Sequence, residues 1–240
     1  MSTGLSTAFV QLFDSEVKQA YQATSKLQGL CRMRTGVVGS VVNFPSVGKG
    51  SATVRTPQTD VVPLNTAFAT VSATMVDYIA AEYSDVFNQA KVNFDERREL
   101  AELVGNAIGR RQDQVILDAL AAATAGATIA NTVVTSGSAA ASDMNVGKII
   151  AAAEQLNTAN VPATDRHLVM HASGLASLLG DERAVSADYA SIKALTQGSG
   201  NVGSFMGFTI HVVGDMDEGG LGIDGSSDRT NFAFHKHALG

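Results

Sequence analysis

Apolar side chains recur along this chain with two different periods, and the change of period divides it. Near the start, Phe9, Leu12, Phe13, Val17, Ala20, Tyr21 and Leu27 follow helical spacing, and Asp14, Glu16, Lys18, Gln22 and Lys26 fall largely on other faces. The spacing predicts an amphipathic helix over residues 7–28, stopped by Gly29. Its apolar stripe must lie on its own domain or on a neighbouring molecule. An intersubunit contact through Phe9 and Phe13 is expected, and Phe13→Asp would put an unpaired charge in it at a cost of several kcal/mol.

From residue 35 to 77 the pattern turns to β. Val37, Val38, Val41, Val42 and Phe44 form a run expected to end at Pro45, Ser46 to Ser51 reads as a turn, and Pro57 and Pro63 bracket an irregular stretch. Then Thr66, Phe68, Thr70, Ser72 and Thr74 alternate with Ala67, Ala69, Val71, Ala73 and Met75. That is a period of two over about ten residues, a strand roughly 33 Å long. Its faces carry hydroxyls and small apolar groups, so the ribbon has little large apolar surface with which to stabilise itself. It is expected to lie across a second molecule, with Lys49 and Arg55 meeting carboxylates such as Glu96, Glu99 or Glu102 there.

Helical spacing returns from Asp95 to Ala123. Asn93 or Asp95 can cap this helix, and Leu100, Leu103, Val104, Ala107, Ile108, Val115 and Leu120 mark its apolar side. Arg97, Arg98, Glu102, Arg110, Asp113 and Asp118 fall largely elsewhere, while Gly105 and Gly109 permit close contact. Such a rod is roughly 42 Å long, and Leu103→Pro would cost about 3 kcal/mol or more by removing a backbone hydrogen bond and clashing with the preceding turn. Residues 124–144 read as a loop with a short hairpin around Thr132 to Thr135. Helix and strand then alternate: helices near 146–157, 175–179 and 191–196, and strands at 167–171, 208–213 and 231–235. A Gly- and Asp-rich loop fills 215–228.

Composition narrows the function classes. The net charge is −6, which argues against nucleic-acid binding by simple electrostatics, although a mildly acidic wall is compatible with enclosing DNA. Cys31 is the single cysteine, so no intrachain disulfide is possible, and its place after Leu30 suggests a buried, inert thiol. No basic stretch leads into an apolar run at the N-terminus, and no run approaches the ~18 apolar residues of a membrane helix. The chain therefore reads as cytoplasmic in origin.

The stretch Phe94-Asp-Glu-Arg-Arg-Glu-Leu-Ala-Glu-Leu-Val-Gly-Asn-Ala-Ile-Gly-Arg-Arg-Gln-Asp-Gln-Val-Ile-Leu-Asp-Ala-Leu120 resembles the spine helix of tailed-phage major capsid proteins. Val-Val-Asn-Phe-Pro upstream and Gly203-Ser-Phe-Met-Gly-Phe-Thr-Ile-His-Val-Val213 downstream support the resemblance, which runs from about Phe9 to His235. It implies an α+β chain with the Hong Kong 97-like capsid fold, in four parts. These are an N-terminal arm (1–34), an extended β-ribbon loop (35–77), a peripheral domain with the spine helix (78–125 and 226–240) and an axial α/β domain (126–225). The family pattern continues with further strand after the axial domain, and this sequence reaches Gly240 soon after entering that return.

The resemblance implies a structural subunit, not an enzyme, with no catalytic residue, cofactor or metal. Its partners would be copies of itself, as pentamers and hexamers of an icosahedral lattice, together with portal and scaffolding proteins. The shell would enclose double-stranded DNA without sequence-specific binding, away from any membrane, and would be assembled in the host bacterial cytoplasm before residing in the virion. An encapsulin-type nanocompartment shares the fold, and a soluble α/β enzyme is the reading of another class. In some relatives a lysine at the ribbon tip forms a covalent bond with an asparagine of another subunit, whereas a solvated turn lysine is the simpler reading of Lys49.

Other motifs fit chemistry only by letter. Gly198-Ser-Gly-Asn-Val-Gly203 matches a dinucleotide fingerprint, but it follows a helix and leads into a strand, the reverse of what a phosphate cradle requires. Gly48-Lys49 lacks the upstream glycine of a P-loop, a position held by Asn43. His167 with His171, and His235 with His237, share strand faces without an acid or thiol at ligand spacing, which favours structural roles. Asp215-Met-Asp217 opens like a calcium loop whose twelfth position is Ser226 instead of an acid.

Overall fold

The computed structural model describes residues 24–61, 63–89, 95–123, 126–134, 141–181, 203–215, 219–223 and 228–239. The predicted N-terminal helix up to Ala23, the helix at 191–196 and most of the 198–203 motif lie outside them. The chain divides into two units, the ribbon Arg32–Tyr78 and a body formed by the rest.

In the ribbon, β1 (Val41–Val47) pairs antiparallel with β2 (Phe68–Thr74) from Val41↔Thr74 to Val47↔Phe68. The expected strand end at Pro45 is wrong: β1 runs through it. Gly48 N donates to Ala67 O at 2.8 Å and Met75 N to Ser40 O at 2.9 Å, so bonded positions on β1 are the even-numbered ones. Pro45 therefore sits where an N–H would face outward, and its missing donor costs nothing in a two-stranded ribbon. The alternation expected over 66–75 is realised in β2.

The body is built on one four-stranded sheet, ordered β4 (Ser204–Phe205), β5 (Phe208–Val213), β3 (Arg166–His171), β6 (Phe232–His235). β3 runs parallel to β5 and antiparallel to β6. Phe232–His235, which the family division assigns to the peripheral part, thus shares a sheet with strands of the axial part.

Alternation along the central strands sorts side chains between two layers. Leu168, Met170, Phe208 and Ile210 pack with Val146, Ile149, Ala152 and Ala153 of α3 (Val146–Thr158) and Leu175 and Leu178 of α4 (Ala172–Gly180). Val169, Val213 and Phe234 turn to the opposite side, where Leu117 of α2 (Glu96–Ala122), Leu27, Leu30 and Leu221 cover them. Because β3 is buried on both faces, it reads as an unbroken apolar run, Leu168-Val-Met170, and not as an alternating strand.

The rod is one helix of 27 residues, about 40 Å long. Asp95 caps it, accepting from Arg98 N at 3.3 Å, and Glu96 and Glu99 lie favourably in its first turn. A one-turn helix, α1 (Val86–Gln89), precedes it. Asn145 caps α3 through Lys148 N at 3.0 Å, and His171 caps α4 through Ser173 N at 3.0 Å.

Three further expectations fail among the described residues. The N-terminal helix does not continue over residues 24–28, because the amides of Lys26 and Leu27 donate to the Asp113 carboxylate instead of to carbonyls one turn back. Gly29 keeps a left-handed conformation, at φ 94°, but in a tight turn. Cys31 is half-buried, not buried, since it stands where the chain leaves the body's core. Around Asn131 and Thr132 there is a turn closed by Val133 N on Ala130 O, and no strand is present over residues 126–134.

Candidate assembly surface and the groups behind it

The ribbon has more apolar surface in water than its small residues suggested. Phe68 is 78% exposed, Val71 63%, Val47 61% and Val54 97%. Two contacts steady its root: Arg34 donates to Asn43 O at 3.3 Å, and the Arg32 guanidinium lies 5.8 Å from the Phe44 ring centre. At the other end, Gly48 lets the two strands close tightly, since a Cβ there would stand 3.1 Å from Ala67 O. Lys49 and Arg55 are exposed on the segment beyond β1, and neither forms an ion pair among the described residues. Phe9 and Phe13 lie outside the described residues.

In the body, a second apolar run leads into the rod: Ile79 is 91% exposed, Tyr83 96% and Phe87 77%. Ala80, Ala81, Glu82 and Ser84 of this run line one side of a shallow groove, and Arg97, Leu100, Ala101 and Val104 line the other. Ser84 Oγ donates to Glu96 Oε2 at 3.3 Å across it. Leu103, Ile108 and Val115, expected on the rod's packed side, are each more than a third exposed.

What the rod does bury is Asp113, Gln114 and Leu117. The Asp113 carboxylate, 3% exposed, accepts from Ser25 Oγ at 2.8 Å, Lys26 N at 2.7 Å and Leu27 N at 3.1 Å. Gln114 accepts from Gly219 N at 2.9 Å and donates to Asp118 at 2.8 Å. The middle of the rod thus ties down the segment before the ribbon and the loop after β5. Gly109 makes room for the first of these, since a Cβ there would meet Ser25 Cβ at 3.2 Å. The helical pattern had assigned Asp113 to a solvated face. No local signal marks an acid whose partners lie 86 to 88 residues away in sequence.

Of the two expected histidine pairings, His235 with His237 holds and His167 with His171 does not. His171 caps α4, and its Nε2 lies 3.2 Å from Asp215, which also pairs with Arg229. His167 instead meets His211 of β5, Nδ1 to Nε2 at 3.2 Å, with the Phe234 ring centre 5.9 Å from its own. Burial lowers the pKa of both rings; Asp165 opposes the shift at His167, whereas Lys236 and His235 add to it. His235 and His237 stack with ring centres 5.4 Å apart, and His235 Nδ1 accepts from His237 N. Among the described residues, no group of three His, Cys, Asp or Glu side chains could hold a metal ion.

Among the described residues, Lys148 is the other titratable group whose environment moves it. Burial lowers its pKa against the pull of Asp143 and Asp228, and its ammonium donates to the carbonyls of Ser142 and Asp143. It closes the loop before α3. Gly203 leads directly into β4, as expected of the motif's C-terminal end; the rest of the motif lies outside the described residues. No helix among the described residues is long and apolar enough to cross a membrane.

The sequence matches the family model described as Phage capsid protein over residues 5–240. No curated protein matches it. Among solved structures, the capsid of cyanophage P-SCSP1u superposes with a TM-score of 0.66 at 18% identity, covering 99% of this chain and 80% of that one. A structure of Mycobacterium phage Che8 gives 0.64 at 20% identity, covering 96% and 81%. The capsid of Ralstonia phage GP4 gives 0.65 at 14% identity, covering 96% and 80%. The architecture is the Hong Kong 97-like capsid fold.

Proposed function

We infer that this chain, which belongs to the phage capsid protein family, is the major capsid protein that builds the head shell of a tailed phage. The observation that carries this reading is the ribbon itself. Two strands with Phe68, Val71 and Val47 in water, and Val54 on the segment between them, form a surface that a free subunit gains nothing from displaying. In a shell the same contact repeats under symmetry, so modest pairwise energies suffice.

The ribbon of each copy lies over its neighbour's body. Its receiving surface is the groove beside the rod, where Leu100, Ala101 and Val104 offer apolar contact. Lys49 and Arg55 approach Glu96, Glu99 or Glu102 there, and Phe9 and Phe13 add an arm contact. In the family's division, residues 1–34 form the arm, 35–77 the ribbon, 78–125 and 226–240 the peripheral domain, and 126–225 the axial domain. The subunits assemble in the host cytoplasm as pentamers and hexamers around scaffold and portal proteins. The finished shell encloses double-stranded DNA, does no catalysis, and its net charge of −6 makes the wall weakly repulsive to packed phosphate.

Electron microscopy of the purified protein tests this. Large icosahedral shells holding nucleic acid are expected. Small shells loaded with a protein cargo would instead indicate a nanocompartment, and an absence of shells under all assembly conditions would overturn the reading. Hydrogen exchange adds a second measure: ribbon amides should exchange fast in free subunits and slowly in shells. Equal protection in both states would rule out a lattice-forming ribbon.

A further inference from the structure

The histidine pair plays no part in shell assembly as described above, yet it occupies an unusual position. His167 is 8% exposed, its Nε2 has no partner, and its Nδ1 meets another imidazole. Both rings lie on the sheet face that also carries Val169, Val213 and Phe234, the face covered by Leu117 of the rod and by Leu27 and Leu30. Among the described residues, His167 is the one histidine that is buried.

We propose that His167 and His211 form an acid-sensitive latch, whose protonation loosens the layer formed by α2 and residues 24–31 and spares the layer formed by α3 and α4. The neutral pair shares one proton between Nδ1 and Nε2, one ring donating and the other accepting. A first added proton makes one ring an imidazolium that can still donate to its neighbour; on His167 that proton leaves a charged Nε2–H buried without an acceptor. A second removes the acceptor altogether, so two cationic rings whose facing nitrogens stand 3.2 Å apart must separate. The surroundings offer little compensation. Lys236 and His235 disfavour charge on His167, Asp165 favours it, and Lys26 is engaged with Val212 O at 3.1 Å. On the rod side, Asp113 already accepts from three donors of residues 25–27. Ring separation therefore opens the seam under Phe234 and the leucines. Burial also favours the neutral form of both rings, which places the release below the usual histidine range.

The inference rests on the packing of the body and not on shell assembly, so each can fail without the other. The measurement is hydrogen exchange of the whole protein at about pH 7.5 and about pH 5, corrected for intrinsic rates; the lower value still lies above the ordinary carboxylate range. Protection of the Lys26, Leu27 and Leu30 amides should fall about tenfold at the lower pH, with Ile149 to Ala153 of α3 unchanged. In His211→Gln, whose amide can accept from a protonated His167 but cannot itself charge, the fall should shrink to about threefold or less. Full protection retained at the lower pH, or an equal loss in the variant, would overturn the latch. Should His211→Gln fail to fold, imidazole titration by NMR in the unmodified protein decides: two coupled steps support the pair, and two independent ordinary titrations refute it.

Discussion

The ribbon and the central sheet are written in the same alphabet and meet opposite fates. β2 alternates Phe68, Thr70, Ser72 and Thr74 with Ala69, Val71 and Ala73, and every position but Ala73 is exposed. β3 and β5 carry Leu168, Val169, Met170, Phe208 and Ile210, all buried. Alternation specifies which residues share a face, but it does not supply a covering layer. The central sheet has α3 and α4 on one side and α2 with residues 24–31 on the other. The ribbon is a two-stranded sheet, and among the described residues its own unit contains no helix. Substitutions on the two sheets should therefore separate folding from assembly.

The largest effect is expected at Val169→Asp. The site is 0% exposed between two packed layers, so an unpaired carboxylate there costs several kcal/mol, enough to unfold a subunit of ordinary stability. Circular dichroism and solubility would show it, and a native-like melt would mean the rod layer is not closed over β3.

Asp113→Ala comes next, at about 3 kcal/mol, because it strands the amides of Lys26 and Leu27 and the Ser25 hydroxyl near a buried surface. Denaturant unfolding measures the loss. Asp113→Asn, which keeps one acceptor oxygen, should recover part of it. Equal losses for the two variants would remove the carboxylate from the account.

The pH dependence is smaller. The folded-state pKa values of His167 and His211 lie below their unfolded ones because burial opposes charging. The unfolded chain then binds more protons, so the pair's contribution is complete above the ordinary histidine range and is lost as pH falls from that range through the lower folded-state values. A melting temperature lower at pH 5 than at pH 7.5 by a few degrees is expected. An identical shift in a variant lacking both histidines would assign the effect to other groups.

Smallest for folding is Val71→Asp on the ribbon, expected within about 0.5 kcal/mol of the parent because the side chain is already in water. The same variant should lose most of its shell yield, scored by sedimentation. Normal yield would show that this face of the ribbon meets nothing.

Much of this was legible along the chain. The rod's span and its Asp95 cap follow from helical spacing and an acidic first turn, and β3, β5 and α3 lie within a residue of their apolar patterns. Residues 24–28 mislead because helical spacing cannot reveal a competing acceptor, and Asp113 takes the amides a helix would have used. Pro45 misleads because its cost depends on which edge its nitrogen faces, a matter of register.

What the sequence determined by itself is therefore local: the periods of two and of 3.6, the caps and the left-handed glycine turn. Each arises from the geometry of neighbouring residues. Tertiary structure alone decided that Asp113 anchors residues 25–27, that β6 returns to β3, and that His167 finds His211 and not His171. Those pairings join residues 44 to 88 positions apart, and their energies exist only after the intervening chain has folded. Burial follows the same logic. An apolar residue becomes core when a second layer reaches it, and the exposed apolar residues of the ribbon's strands have none within their own two-stranded sheet.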